Sequence, residues 1–244
     1  MMREWSGKRY WVVGASEGLG RELAMLLSRV GADVILSARN EDRLHELAAE
    51  LPRPARVVPC DVSDADSVAR AVDEVGEIDG LCYLAGVYWP SDAANWNTDE
   101  ITRMIDVNLT GPTRVLGRVV PGMVARGQGH IVLTGSLSGY RGLPNSIGYG
   151  ASKAGIMVLA EGMHADLKGS GVDVQLVNPG FVRTRLTEKN DFRMPMIMEP
   201  KAAARVYFEH MNTEAFSCGF PGPLAALIRA GNFLPDALYY RLVR

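Results

Sequence analysis

The stretch VVGASEGLGREL, residues 12–23, decides the fold class because it joins a buried strand to a helix through a glycine-rich turn. Gly14, Gly18 and Gly20 are spaced G-x-x-x-G-x-G. Glycine permits a tight turn and a close approach of the backbone to another group. The helix N-terminus presents free N–H groups and a partial positive charge to a pyrophosphate. The position between strand and helix favours a dinucleotide site over a plain tight turn. The residues predicted to form it are Gly14, Ser16, Glu17, Gly18, Leu19 and Gly20.

On both sides of this stretch, short apolar runs alternate with longer amphipathic segments. The predicted strands are residues 9–15, 32–39, 55–62, 78–86, 129–136 and 172–180. The predicted helices are residues 20–31, 40–51, 63–75 with Ser63 as N-cap, 98–124 and 146–168. Near-continuous apolar strands separated by helices indicate a parallel sheet covered on both faces. The prediction is an α/β protein: one Rossmann-like domain over residues 1–244, with a doubly wound parallel sheet flanked by helices on both faces.

Composition excludes several classes of function. The chain has 26 basic and 28 acidic residues, a net charge of -2 that gives no electrostatic footprint for nucleic acid. No apolar run approaches the roughly 18 residues of a membrane span, and the first residues do not resemble a signal peptide. Cys60, Cys82 and Cys218 are scattered, as are the four histidines, so neither a disulfide framework nor a metal site is predicted. This cysteine usage suits a reducing cytoplasm.

Tyr149 and Lys153 are spaced four residues apart in YGASK, within a predicted helix. That spacing places both side chains on one helix face. A fixed ammonium beside a phenol favours the phenolate, so we expect Lys153 to lower the pKa of Tyr149 from about 10 toward neutrality. The phenol then becomes a general acid or base that works near pH 7. A tyrosine packed in a core beside a solvated lysine is the alternative reading of the pair alone.

The end of the second predicted strand reads SARN, with Arg39 and no acidic residue where an NAD site usually has one for the ribose 2′-hydroxyl. An arginine there suits a 2′-phosphate, so NADP(H) is favoured and NAD(H) is possible. Ser16 could add a hydroxyl donor. Glu17 argues against this preference because a carboxylate repels phosphate. A solvated surface charge is the alternative for Arg39.

The glycine spacing, CDVSD, DVNLTG, GSLSG, YGASK and NPGFVRT follow one another in an order that resembles the short-chain dehydrogenase/reductase family, over residues 8–186. The resemblance implies a catalytic set of Asn108, Ser136, Tyr149 and Lys153. Ser136, thirteen positions before Tyr149, would donate a hydrogen bond to the substrate oxygen. Asn108 would hold a water that links Lys153 to solvent, and Lys153 would also bind the nicotinamide ribose.

The resemblance also implies the remaining cofactor contacts. Asp61 and Val62 match the adenine-binding positions, Ala85 and Gly86 the surface beside the adenosine ribose, Pro179 and Gly180 the turn under the nicotinamide, and Val182 and Thr184 the carboxamide site. Asn108, Tyr149 and Lys153 also belong to the implied cofactor site. Asp61 and Thr184 could instead be helix caps. Where the family commonly has N-N-A-G, this chain has Tyr83 to Gly86, YLAG, which puts the usual polar tie at the central strands in doubt.

The function implied is an NADP(H)-dependent oxidoreductase that transfers a hydride between the nicotinamide and a small-molecule carbonyl or alcohol. The alternative is a non-catalytic protein that senses NADP. Relatives are usually homodimers or homotetramers, so either is expected.

Residues 187–244 lie where the family has a substrate lid, followed by a C-terminal helical extension. Two short amphipathic helices broken at Pro235 are predicted after an irregular loop at residues 190–200. Tyr88, Trp89, Tyr140 and Met194 are candidate pocket walls. The C-terminal region could cap the pocket, form a subunit interface or rest on a membrane. The last is the least favoured because its charge, Arg229, Arg241 and Arg244, is sparse.

Overall fold

The computed structural model describes residues 3–243, and its centre is a parallel sheet. The strands are β1 Arg9–Val13, β2 Asp33–Ser37, β3 Arg56–Val57, β4 Gly80–Tyr83, β5 Gly129–Thr134, β6 Val172–Pro179 and β7 Ser217–Phe220. Their order across the sheet is β3-β2-β1-β4-β5-β6-β7, and all described pairs are parallel. The carboxyl ends of the strands therefore meet at one edge, where ligands bind in such folds.

Helices cover both faces of this sheet. They are α1 Gly18–Arg29, α2 Glu41–Glu50, α3 Ala65–Val75, α4 Thr98–Ile105, α5 Gly111–Arg126, α6 Ile147–Asp166, α7 Pro200–Met211, α8 Gly222–Ala230 and α9 Asp236–Leu242. One core cluster joins α3, α5 and α6 to the sheet, and the other joins α1, α2 and α7. Successive residues of β1 alternate between the clusters, Trp11 and Val13 on one face and Tyr10 and Val12 on the other. The predicted fold class is confirmed.

The predicted helix over residues 98–124 is interrupted. Asp106–Thr110 forms a π-helical turn between α4 and α5. The sequence explains the change of hydrogen bonding: Gly111 N–H donates to the Asp106 carbonyl, and the following Pro112 has no N–H to donate. A continuous α-helical ladder cannot pass this point.

Three other predictions need correction. The N-cap of α3 is Asp64, whose carboxylate accepts from Asp66 N–H at 2.9 Å, not Ser63. Ser63 instead donates to Asp61 through its hydroxyl, at 2.6 Å. Strand β3 is only two residues long, although Val58 and Cys60 N–H still donate to the Leu36 and Ala38 carbonyls beyond it. Helix α7 and strand β7 lie in a region with no predicted element.

The C-terminal region folds as two short helices, α8 and α9, separated by a 3₁₀ turn at Gly231–Phe233, and Pro235 immediately precedes α9. This matches the predicted pair broken at Pro235. The role suggested for Arg244 lies outside the described residues. Within residues 3–243, no helix combines the length and apolar character needed to cross a membrane.

Candidate active site

A cleft of about 270 Å³ opens at the carboxyl edge of the sheet, where the loops following β1 to β6 converge. Most of the predicted cofactor residues line it. They are Gly14, Ser16, Glu17, Gly18, Leu19, Gly20, Arg39, Asp61, Val62, Ala85, Gly86, Tyr149, Lys153, Pro179, Gly180, Val182 and Thr184. Asn108 and Ser136 do not line the cleft. The fold therefore gathers residues from most of the chain around one elongated space.

The glycine turn fits tightly at two positions. Gly14 has a φ of +96°, and a Cβ added there would lie 2.4 Å from the Ala85 nitrogen. A Cβ on Gly20 would lie 2.1 Å from the Gly14 carbonyl oxygen. Any side chain at either position would push the turn away from β4 or from α1. Helix α1 begins at Gly18 without a side-chain cap from Glu17, so its first N–H groups face the cleft.

Arg39 and Glu17 lie at the end of the cleft beside β2. Among the described residues, Arg39 makes no hydrogen bond or ion pair, and it is exposed. Glu17 is ion-paired twice: its Oε2 lies 2.8 Å from an Arg43 guanidinium nitrogen and 2.5 Å from Arg185 Nε. The carboxylate charge that argued against a phosphate is therefore compensated, while the Arg39 charge remains available.

Arg43 and Arg185 are residues that the sequence analysis missed. Arg43 lies four positions after Arg39, and its arginine type near the predicted ribose site was a usable signal. Arg185 follows Thr184 directly and lines the cleft, but no spacing indicated that it would reach Glu17 across the mouth of the cleft.

Tyr149 and Lys153 lie on the inward face of α6. Lys153 Nζ donates to the Thr134 carbonyl at 2.9 Å and lies 5.7 Å from the Tyr149 ring centroid. Burial lowers the pKa of Lys153 to about 8. Burial raises the pKa of Tyr149 to about 12, while the hydroxyl of Ser136, within hydrogen-bonding reach, acts in the opposite direction.

The expected shift of the Tyr149 pKa toward neutrality is therefore wrong for this structure. Loss of hydration around the phenol outweighs the hydrogen bond with Ser136, and the ammonium is directed to the Thr134 carbonyl. The predicted proximity of the pair is correct. At neutral pH the arrangement holds a protonated phenol beside a buried ammonium.

Ser136 lies just beyond β5 and is buried. Its Oγ accepts from Ser138 N–H at 3.1 Å. Ser136 does not itself line the cleft, but its hydroxyl is within hydrogen-bonding reach of Tyr149, which does. Ser138, two residues later in the GSLSG motif, serves as a backbone donor to Ser136.

Asn108 does not contact the cleft because its amide is fully engaged behind it. Oδ1 accepts from Val87 N–H at 2.8 Å, and Nδ2 donates to the Val87 carbonyl at 2.9 Å and to Ser152 Oγ at 3.1 Å. The implied role of Asn108 as a direct cofactor contact is therefore corrected. Its side chain fixes the backbone beside Gly86, whose added Cβ would meet both Asn108 Oδ1 and Lys153 Nζ.

Tyr83 replaces the polar tie that the sequence put in doubt. Its hydroxyl donates to the Val107 carbonyl at 3.2 Å. In a π-helical turn the Val107 carbonyl would accept from the N–H of residue 112, but that residue is Pro112 and has no N–H. Tyr83 thus connects the end of β4 to the residue immediately before Asn108.

On the adenine side, Asp61 accepts two hydrogen bonds from Ser63, at 3.0 Å from N–H and 2.6 Å from Oγ. Burial opposes ionisation of Asp61, but these hydrogen bonds outweigh it and lower the pKa of the carboxyl. Asp61 is not the cap of α3. Its fixed carboxylate and the buried Val62 border the cleft.

The segment of residues 187–190 lies against the loop that follows β4. Tyr88 donates to Asn190 Oδ1 at 2.8 Å, and Lys189 Nζ donates to the Tyr88 carbonyl at 2.7 Å. The Tyr88 ring meets the Tyr149 ring edge-on, with centroids 5.1 Å apart. Of the candidate wall residues, Tyr88 is therefore the one in contact with Tyr149.

The other candidate wall residues make contacts elsewhere. Trp89 lies under Lys189 Nζ at 4.0 Å. Met194 accepts from Asn190 at 3.2 Å, and Tyr140 accepts from Asn178 at 3.4 Å.

Known proteins are similar to this chain in sequence and in fold. Residues 8–194 match the sequence model of a family described as short chain dehydrogenase. The chain is 36% identical over 245 residues to a protein named an uncharacterized oxidoreductase from Myxococcus xanthus (strain DK1622), covering 98% of this chain and 97% of that protein. A short-chain dehydrogenase structure from Streptomyces avermitilis has a TM-score of 0.84 at 25% identity, covering 97% of this chain and 96% of that one. A short-chain dehydrogenase from Sphingobium yanoikuyae in complex with NADPH has a TM-score of 0.84 at 28% identity, covering 95% and 94%.

Proposed function

The chain belongs to the short-chain dehydrogenase family and is an oxidoreductase, and from this premise we propose that it is an NADP(H)-dependent enzyme acting on a carbonyl or alcohol. The convergence of Ser136 and Tyr149 beside the buried Lys153 ammonium carries the proposal. A purely structural tyrosine would not need to line the cleft with a serine hydroxyl within reach and a buried ammonium beside it.

The cleft residues fit a dinucleotide. The turn at Gly14 and Gly20 has no space for a Cβ, and the uncapped start of α1 presents N–H groups suited to a pyrophosphate. Asp61 and Val62 would border the adenine, and Val182 and Thr184 the carboxamide. Lys153 would reach the nicotinamide ribose from α6. When bound, the nicotinamide supplies or accepts the hydride.

The preference for NADP(H) is supported by the charge balance around Glu17. Because Arg43 and Arg185 both pair with the Glu17 carboxylate, the adjacent Arg39 adds a positive charge that no described acid neutralises by an ion pair. Such a guanidinium suits a phosphate dianion better than a ribose hydroxyl. The structure of the Sphingobium yanoikuyae short-chain dehydrogenase in complex with NADPH supports this preference.

The chain's own residues carry the proton. In reduction, Ser136 Oγ–H donates a hydrogen bond to the substrate oxygen as negative charge develops there. The Tyr149 phenol, whose pKa is about 12, is a stronger acid than an aliphatic alcohol and gives its proton to that oxygen. The Lys153 ammonium then stabilises the phenolate that remains. Oxidation of an alcohol uses the reverse proton path, with Tyr149 as base. Asn108 acts in this scheme through Val87 and Gly86, as a positioning residue.

We propose that residues 187–243 form the substrate lid and C-terminal extension of the same enzyme. The edge of the Tyr88 ring against Tyr149 supports an aromatic wall beside the phenol for the substrate. A cytoplasmic location and assembly as a homodimer or homotetramer stay predictions from the sequence.

The test is turnover by the Tyr149→Phe variant. Wild-type protein is assayed with NADPH against aldehydes and ketones of graded size, and binding of NADPH is followed separately by fluorescence. We expect the variant to bind NADPH nearly as wild type and to lose roughly 10²- to 10⁴-fold in kcat, the usual contribution of a general acid.

Tyr240→Phe is the matched control, because Tyr240 is exposed on α9 and should retain full turnover. Undiminished activity in Tyr149→Phe would show that Tyr149 is not the general acid. A wild-type chain that binds NADPH but reduces no carbonyl and oxidises no alcohol would instead be a sensor of NADP.

A further inference from the structure

Residues 137–146 connect Ser136 to the start of α6, which carries Tyr149. We propose that the C-terminal extension, residues 222–243, braces this connecting segment through Arg141, and that Arg141 is thereby a positioning residue for Ser136. The inference rests on the proposed function, because it assigns the brace to the catalytic serine. The family match ends at residue 194, so the extension lies beyond the shared sequence pattern.

Arg141 is held by the extension from several directions. Its guanidinium donates to the Gly231 carbonyl at 2.5 Å, to the Leu234 carbonyl at 2.9 Å and to Asp236 Oδ1 at 2.5 Å. It also lies 3.9 Å from the Tyr239 ring centroid. The Arg141 side chain is only 14% exposed although the segment around it is at the surface. An arginine that served only as a solvated surface charge would not have its guanidinium buried in this way.

Tyr239 makes a second link from the extension to the same segment. Its ring is buried and its hydroxyl donates to the Gly142 carbonyl at 3.0 Å. Gly231 allows this packing, since an added Cβ would lie 3.1 Å from the Tyr239 ring. Helix α8 packs in addition against the Leu137–Gly139 turn that immediately follows Ser136.

The other end of the segment has its own anchor. Ser91 N–H donates to the Asn145 carbonyl at 3.1 Å, Ile147 N–H donates to the Ser91 carbonyl at 3.3 Å, and Gly148 N–H donates to Ser91 Oγ at 3.3 Å. Tyr149 is therefore fixed from the loop after β4. The turn after Ser136 packs against both α6 and α8, and the residues that follow it, Arg141 and Gly142, are held by the extension. Loss of the brace should move Ser136 relative to Tyr149, and a displacement of about 1 Å can cost on the order of 100-fold in rate.

The experiment compares Arg141→Gln with Arg118→Gln. Arg118 is exposed on α5 and makes no hydrogen bond or ion pair with any residue of the described chain. We expect Arg141→Gln to lose about 10- to 100-fold in kcat while its Kd for NADPH, measured by fluorescence, stays within about twofold. Hydrogen exchange of amides in residues 137–142 should accelerate by about tenfold or more, with β5 and β6 unchanged.

Asp236→Asn is a milder variant that is less disruptive to folding than Arg141→Gln, because it removes only one charged contact of Arg141. It should change kcat and amide exchange in the same direction as Arg141→Gln, but less. A kcat and exchange pattern in Arg141→Gln equal to those of Arg118→Gln would overturn the brace. If wild type turns over no substrate, the proposed function fails, and hydrogen exchange in residues 137–142 alone then decides the brace: acceleration supports it and no change overturns it.

Discussion

At the residue scale, Tyr149 and Lys153 are displaced from their ordinary pKa values in opposite directions by the same cause. Burial penalises the charged form of each group, so the pKa of the phenol rises to about 12 and that of the amine falls to about 8. At pH 7 the tyrosine still holds its proton and most of the lysine is charged. This is the protonation state that carbonyl reduction requires. Alcohol oxidation requires the phenolate, which is scarce at this pH.

We expect kcat/KM for carbonyl reduction to fall as the pH rises above about 8, because Lys153 then loses the proton that stabilises the developing phenolate. The measurement is a rate profile from pH 6 to 10. Lys153→Arg, whose guanidinium remains charged throughout this range, serves as the comparison and should shift the decline to higher pH. A profile that stays flat through pH 9.5 would contradict the role given to Lys153.

Arg39→Ala should weaken NADPH selectively. Loss of a charge-assisted hydrogen bond of about 1.5–3 kcal/mol would raise the KM for NADPH roughly 10- to 100-fold. The KM for NADH should change by no more than about twofold. Steady-state kinetics with both coenzymes, and with Arg118→Ala as the control arginine, measures the difference. Equal losses for both coenzymes would show that Arg39 does not read the 2′-phosphate.

The sequence was sufficient to predict most of the residues that the fold gathers at the cleft, because the motifs that contain them are local. Tyr149 and Lys153 share one helix turn, and Arg39 ends a recognisable strand. The ion pairs of Glu17 could not be predicted from the sequence in the same way, because Arg185 lies far from Glu17 along the chain. The Tyr149 pKa was mispredicted for a related reason: burial depends on packing from several elements, whereas the charge partner is visible in the motif.

At the element scale, the π-helical turn at Asp106–Thr110 determines where Asn108 points. Pro112 removes the N–H that the Val107 carbonyl would otherwise use, and Tyr83 supplies a hydroxyl in its place. The turn then directs the Asn108 amide to Val87 and Ser152 rather than to the cleft. One tyrosine thus stabilises a helix irregularity that supports the cleft wall.

Tyr83→Phe should destabilise the protein by about 1–3 kcal/mol, because the buried Val107 carbonyl loses its donor. Urea unfolding at pH 7 measures the change, and the Tyr240→Phe variant, which loses an exposed hydroxyl, should unfold at the wild-type urea concentration. An unchanged midpoint for Tyr83→Phe would mean that the hydrogen bond contributes nothing net.

Elements with strong periodic patterns were the ones predicted from the sequence. Strand β7 is four residues long, and only Phe220 in it is fully buried, so it lacks an apolar run. Helix α7 follows a loop rich in methionine and proline, which obscured its start at Pro200. Its Ala203, Tyr207 and Met211 nevertheless recur at helical spacing and are buried. That periodicity was an available signal.

At the scale of the whole molecule, the amino end of the sheet contains a buried polar network. His130 lies near the start of β5, and its ring contacts the Tyr10 hydroxyl at 2.8 Å and Gln175 Oε1 at 2.8 Å. Gln175 Nε2 donates to carbonyls of residues 210, 213 and 215. Gln175 Oε1 must therefore accept from His130, which leaves the other ring nitrogen to accept from Tyr10. The network requires a neutral imidazole, and burial lowers the pKa of His130 to about 3.

This histidine should make the fold sensitive to acid. Below pH 6.5 the unfolded chain binds a proton that the folded chain excludes, so the contribution of His130 is complete above pH 6.5 and is lost as the pH falls toward about 3. We expect a loss of roughly 2 kcal/mol between pH 7 and pH 5 from this group. Urea unfolding at the two pH values measures it.

His130→Gln should be less stable at pH 7 but show a smaller difference between the two pH values. His45→Gln, at an exposed position on α2, should keep the wild-type difference. The same pH difference in His130→Gln as in wild type would exclude His130 as the cause.

The strand β5 carries this acid-sensitive network near one end and leads to Ser136 at the other. At about 3.3 Å per residue the two lie roughly 20 Å apart, far enough for substitutions to act additively. Adaptation to an acidic habitat therefore does not have to compete with chemistry in this architecture. Substitutions that stabilise the fold at low pH can accumulate at the amino ends of the strands, while selection at the carboxyl ends changes substrate specificity.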